Sequence, residues 1–220
     1  MCCQFYFNHD TLRDIRRIVD AVDSGMDELR QGDIHPSDTA AVISGSVSGK
    51  SCLLQAEKMQ WGFPGFDGKQ LLINARAETA AEKRTFRDSV RRYRCVIPAK
   101  YFYEWDRSRT KVTFTWKESP CLYFAGLYIP LCSTESRINR MKNCKENRKE
   151  NCKEDKDFRF VILTTAANDS MKPVHDRMPL ILPENQIRDW IFDDGATGKI
   201  LRQGSPVLDR YQEYEQLSFF

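Results

Sequence analysis

Four runs, RCVIPA (Arg94–Ala99), YFYEW (Tyr101–Trp105), KVTFTW (Lys111–Trp116) and LYFAGLYI (Leu122–Ile129), follow one another with only short breakers between them. Each is short, β-branched or aromatic, and bounded by polar or turn-forming residues, which is the pattern of successive strands. FRFVILTT (Phe158–Thr165) and MPLILP (Met178–Pro183) repeat it further on, so the second half of the chain reads as mostly antiparallel sheet. Before these runs, GDIHPSD (Gly32–Asp38) is turn-rich, AAVIS (Ala40–Ser44) and SCLLQAEKMQWGF (Ser51–Phe63) read as strands, and Gly45 and Gly49 with their serines suggest the turn between them.

Helices frame this β-rich centre. Asn8 and Asp10 are candidate N-caps for a helix carrying Leu12, Ile15, Val19 and Val22 on one face. ETAAEKRTFRDSVRRYR (Glu78–Arg94) places Phe86, Val90 and Tyr93 on one helical face and arginines on the others, and PENQIRDWIF (Pro183–Phe192) is expected to be the final helix, giving Ile187, Trp190 and Ile191 to the core. The expected fold is therefore α/β, in the α+β sense, as a single domain over residues 1–220. NRMKNCKENRKENCKEDKD (Asn139–Asp157) is too polar to bury a core, and residues 138–157 are read as a flexible insertion rather than a domain linker.

Composition excludes several classes. There is no apolar run long enough to span a membrane and no signal-peptide pattern at the start, so a cytoplasmic protein is expected. The eight cysteines are scattered, and Cys144 and Cys152 have neither the spacing nor the histidines of a zinc site; no metal and no cofactor are expected. With 34 Lys+Arg against 31 Asp+Glu the net charge is +3, so any nucleic-acid footprint depends on local clustering.

The sharpest chemical feature is Cys2. Removal of Met1 would give this residue a free α-amine beside its thiol, a 1,2-aminothiol that no internal cysteine can provide. The amine forms a Schiff base with an aldehyde, and the thiol closes onto it as a five-membered thiazolidine. Within LLINARAETA (Leu71–Ala80), Asn74 is placed to orient an amine or phosphate and Arg76 to clamp a phosphate with its planar fork. On YFYEW, alternation sets Tyr101, Tyr103 and Trp105 on one face and Phe102 with Glu104 on the other; a carboxylate on so aromatic a strand is expected to be buried and suited to acid/base work, the alternative being a core Glu satisfied by an arginine. Of the three histidines, His175 in HDRMP (His175–Pro179), beside Arg177 at a strand entrance, is a better functional candidate than His9 or His35.

The N-terminal MC, WGFPG (Trp61–Gly65), NARAET (Asn74–Thr79), FYEW (Phe102–Trp105) and HDRMP, in this order and over nearly the whole chain, resemble the SOS-response-associated peptidase (SRAP) family, which includes abasic-site shielding proteins. The resemblance implies a barrel-like β core, a cleft for single-stranded DNA containing abasic sites, and Cys2 at its centre. It implies Cys2 as nucleophile, Asn74 as the residue holding the reacting end, Glu104 as the acid/base carboxylate and His175 as its partner. It further implies phosphate contacts from Arg76, Arg84 and Arg177 and base-facing surface at Trp61 and Phe66, the alternative for Trp61 being a place in the core. The family commonly begins Cys-Gly-Arg-Phe, where this chain has Cys2, Cys3, Gln4 and Phe5; Gln4 loses a cationic contact, and Cys3 puts a side chain where glycine would allow close approach. A monomer is expected. Two rival activities use the same residues: a thiol peptidase or autoprotease built on Cys2, and a non-catalytic module for single-stranded DNA.

Overall fold

A computed structural model describes residues 3–49, 51–65, 70–131 and 157–212. The polar insertion at 138–157 lies outside the described residues but for the start of the strand that follows it, and Cys2 and Phe66 lie outside them as well. The elements run β1 (Phe5–Phe7), α1 (His9–Ile18), β2 (Ala21–Val22), β3 (Gly32–Ile34), β4 (Thr39–Ser48), β5 (Ser51–Trp61), β6 (Phe63–Pro64), β7 (Leu71–Leu72), β8 (Asn74–Arg76), α2 (Ala77–Ala80) and α3 (Arg87–Arg92). They continue with β9 (Arg94–Ala99), β10 (Tyr101–Trp105), β11 (Lys111–Thr115), β12 (Leu122–Leu131), β13 (Asp157–Ala166), β14 (Arg177–Pro179), β15 (Ile181–Leu182), α4 (Ile187–Phe192), α5 (Asp194–Arg202) and β16 (Asp209–Gln212). Every run that opened the sequence reading is a strand.

One sheet has the order β16-β11-β10-β1-β3; a larger one is built around β14-β13-β12-β9-β4-β5-β2, with β8 and β15 joined to its path. Pairing is antiparallel except where β5 and β8 run parallel to β13 and β2 runs parallel to β5, which bears out a mostly antiparallel α/β domain. The two sheets share one apolar interior: the Phe5 and Phe102 rings of the smaller sheet both meet Phe124 of the larger, at 6.1 and 5.8 Å between centroids, edge to face. The result is a ring of sheet rather than a regular closed barrel.

Several element boundaries differ from the sequence expectation for identifiable reasons. α1 is capped by the Asn8 side chain, which accepts the Thr11 N–H, but ends at Ile18; Val22 leaves the helix to pair with Ala56, because β5 offers a parallel edge there. The expected helix over Glu78–Arg94 is broken into α2 and α3 by a run of turns, and Arg94 already belongs to β9. The β4–β5 turn falls at Gly49, whose φ of +62° suits glycine, whereas Gly45 is inside the strand. Gly45 is needed for another reason: a Cβ there would come within 2.5 Å of Ile191 and Phe192, so α4 lies directly on the β4 backbone. α5 follows α4 and was missed; Asp193 caps it by accepting the Gly195 N–H, and it buries Ile200 and Leu201.

Candidate nucleic-acid interface

The site is assembled on β10 and on the end of β13. Phe5 pairs with Phe102 and Tyr6 with Tyr101, the Tyr103 N–H donates to the Gln4 carbonyl at 3.1 Å, and one further step of this register sets Cys3 opposite Glu104. Glu104 is only 4% exposed, as the alternation on YFYEW requires. The Cys3 thiol is pushed above the ordinary range, first by burial and then by the nearby Glu104 carboxylate. The stretch leading from Cys2 into β1 is thus anchored against the strand that carries the buried acid. Gln4, expected to stand where a cation would reach DNA, is 7% exposed and held by that backbone bond, so its position belongs to the interior of the unliganded protein.

At β13, Asn74 and Arg76 lie beside Ile162 and Thr164 on one edge, and Arg177 lies beside Ala166 on the other. The two edges are tied together. Both terminal nitrogens of Arg177 donate to the Glu78 carboxylate, at 2.8 and 2.9 Å, and one of them also donates to the Thr164 carbonyl at 2.6 Å. Arg177's fork holds the Glu78 carboxyl below its usual range. With a side chain only 15% exposed, Arg177 fixes the walls of the site as much as it faces solvent. Arg76, by contrast, is exposed at the start of α2, and Arg84 is exposed in the turns between α2 and α3.

His175 belongs with the second of these groups. Its Nδ1 accepts the Arg177 backbone N–H at 2.9 Å, which fixes the proton of the neutral ring on Nε2; the exposed Asp176 carboxylate, 2.9 Å from the same Nδ1, is placed to meet the ring when both nitrogens are protonated. The ring lines a groove of about 800 Å³ that it shares with Trp105, Arg107, Lys172 and Pro173. Trp105 immediately follows Glu104 on β10, and alternation turns the two side chains to opposite faces of that strand, Trp105 into the groove and Glu104 into the interior. The sequence had shown Trp105 on YFYEW without giving it a role; Arg107 and Lys172 gave no local signal, because only the fold brings the β10–β11 turn beside the segment before His175.

Trp61 requires a correction. It does not face a base: it is 0% exposed, its indole N–H donates to the Ile73 carbonyl at 2.9 Å, and its ring stacks on Phe160 and tilts against Phe5. Inside a ring of two sheets, a large aromatic at the end of β5 is worth more to the core than to the surface. Among the described residues, no cluster of His, Cys, Asp and Glu could hold a metal ion, and no helix is long and apolar enough to cross a membrane.

A protein of this fold, with an acid buried on the strand paired to its first and a histidine lining a surface groove, has recognisable relatives. The model of the family described as SOS response associated peptidase (SRAP) matches residues 1–217, and the chain belongs to that family. It is 32% identical over 174 residues to the abasic site processing protein YoqW of Bacillus subtilis, covering 74% of this chain and 70% of that one. It is 30% identical to the abasic site processing protein YedK of Escherichia coli over 63% of this chain and 55% of that one. Among solved structures, a protein from Bordetella bronchiseptica superposes with a TM-score of 0.73 at 23% identity, over 97% of this chain and 100% of that one, and one from Bacteroides thetaiotaomicron with 0.75 at 19% identity, over 97% and 93%; both show the shared fold.

Proposed function

We propose that this chain processes abasic sites in single-stranded DNA, as a monomer and in a DNA-damage response, by capturing the open sugar aldehyde at Cys2. The observation that carries the reading is the placement of Glu104: a carboxylate 4% exposed on the strand that receives the residues just after Cys2. With Met1 removed, the α-amine of Cys2 attacks the aldehyde carbon and water leaves to give an imine. The Cys2 thiolate then adds to the imine carbon, the nitrogen takes up a proton, and a thiazolidine closes. Glu104 moves the protons of dehydration and ring closure; His175, with its Nε2–H directed by the Arg177 amide, assists opening of the sugar ring. Asn74 holds the reacting end, and Arg76, with Arg84 and Arg177, meets the phosphates. For Arg177 this means sharing its fork among Glu78, the Thr164 carbonyl and a phosphate.

The test is a denaturing gel and intact mass after incubation with an oligonucleotide containing one abasic site. The processed protein should give an adduct that survives denaturation, and Cys2→Ala should give none. Cys3 should not substitute, because its nitrogen is an amide. A protein with an uncleaved N-terminal extension should also fail, although every side chain is present; an equally stable adduct from that amine-blocked protein would overturn the mechanism.

A further inference from the structure

The outer face of the smaller sheet, turned away from Glu104 and the core, has chemistry the capture reaction does not use. The Tyr6 and Tyr101 rings stack there at 4.6 Å, Tyr103 meets Tyr101 edge to face at 5.4 Å, and the Lys111 ammonium lies 3.5 Å above the Tyr103 ring. Tyr211 of β16 is in register with Thr113 and stands 60% exposed beside them. Tyr101, Tyr103, Lys111, Thr113, Thr115 and Tyr211 line a slot of about 450 Å³. No carboxylate lines it; Asp33 lies near the Tyr103 hydroxyl, with its Oδ1 buried rather than open to the slot. Aromatic planes, hydroxyls and one cation with no opposing acid are what sequence-tolerant binding of a single strand requires.

The slot and the groove at His175 are lined from one rung of the same ladder. Trp105 lines that groove, pairs with Lys111 across the ladder, and points to the same face as Tyr103, two residues back along β10. That separation is about 7 Å, or roughly two stacked steps of a strand at about 3.4 Å each. We infer that this face is a secondary subsite for single-stranded DNA, where bases flanking the abasic position stack on Tyr101 and Tyr211 and Lys111 meets the intervening phosphate. The inference rests on the abasic-DNA reading above and extends the DNA footprint beyond the groove.

The experiment uses the full chain and oligothymidylates with a central tetrahydrofuran, an abasic analogue that has no aldehyde, in a short form spanning the groove alone and a long form of about twenty nucleotides. By fluorescence anisotropy, Tyr211→Ala should weaken the long form at least about fivefold and leave the short form within twofold, since one stacked base is lost. Lys111→Gln should flatten the salt dependence of the long form only. As a measurement that needs no variant, 5-iodouracil placed two nucleotides to either side of the analogue should photo-cross-link to Tyr101, Tyr103 or Tyr211. Equal affinity of Tyr211→Ala and the unaltered chain for the long form, or cross-links confined to other residues, would overturn the subsite; binding of an apolar peptide there with no length dependence for DNA would do the same. The outcome separates from that of the capture reaction: a length dependence sensitive to Tyr211 supports the subsite even if no covalent adduct forms with a true abasic site, and an adduct without length dependence refutes the subsite alone.

Discussion

At Cys3 and Glu104, a side chain just before β1 and one on β10 share one environment. Because burial and the Glu104 carboxylate both favour the neutral thiol, Cys3 should react with N-ethylmaleimide more slowly than the exposed Cys52 at neutral pH, and its own rate should keep rising beyond the ordinary range of a thiol. Glu104→Gln removes the second of these causes, so Cys3 alkylation should speed up, read by mass spectrometry of the peptides; an unchanged rate would mean that Glu104 does not act on this position. The same substitution should slow single-turnover adduct formation at saturating protein by tenfold or more while leaving DNA affinity nearly unchanged, because it removes a proton carrier and not a contact. At this scale the sequence was informative where chemistry is local. The burial of Glu104 follows from strand alternation, and the pairing of His175 with Arg177 from their adjacency. It was ambiguous at Trp61, since a tryptophan in a turn-flanked motif looks the same whether its ring lies in the core or on the surface until the second sheet is in place. It was silent on the Arg177–Glu78 fork, whose partners come from opposite edges of β13.

Between elements, a few residues hold the helices to the sheet. Arg94 is buried at the start of β9, and its guanidinium donates to the Val90 carbonyl at 2.8 Å, near the end of α3, and to the Trp190 and Ile191 carbonyls at 2.5 and 3.1 Å, near the end of α4. It satisfies the last carbonyls of both helices with one cation, the charge their dipoles favour. Arg94→Met should therefore cost about 3 kcal/mol in urea unfolding, because it leaves several carbonyls buried without donors. Gly45→Ala should cost about 1–3 kcal/mol by a different route, pushing α4 off the β4 backbone; a value near zero would mean that α4 shifts freely. The strands were legible because alternation and β-branched runs are local signals. The helices were less so. α1 stops at Ile18 because a strand edge competes for the next residues, the arginine-rich segment breaks into two short helices because the sheet constrains both its ends, and α5 has so short an apolar face that only packing reveals it.

The whole molecule places thiols in its shared core. Cys121 is buried on β12's approach, with burial pushing its thiol up to about 12, and Cys95 on β9 is raised well above its ordinary value by burial as well. An unfolded chain ionises such a thiol near pH 9, whereas the folded one keeps it protonated. The contribution to stability is thus complete below about pH 9 and is lost between about pH 9 and pH 12. The free energy of urea unfolding should fall from pH 8 to pH 10 by about 1 kcal/mol per buried thiol, and Cys121→Val should reduce that fall. A second consequence lies in β1, the strand between β10 and β3. β3 emerges from the ribosome soon after it, but β10 emerges only when almost half the chain has been made, and β16, which completes the sheet, comes almost at the end. At about 5–20 residues per second, the residues just before β1 therefore spend several seconds outside any finished sheet. In that interval an aminopeptidase working on nascent chains can reach the N-terminus, so the order of synthesis leaves time for the processing that the proposed use of Cys2 requires.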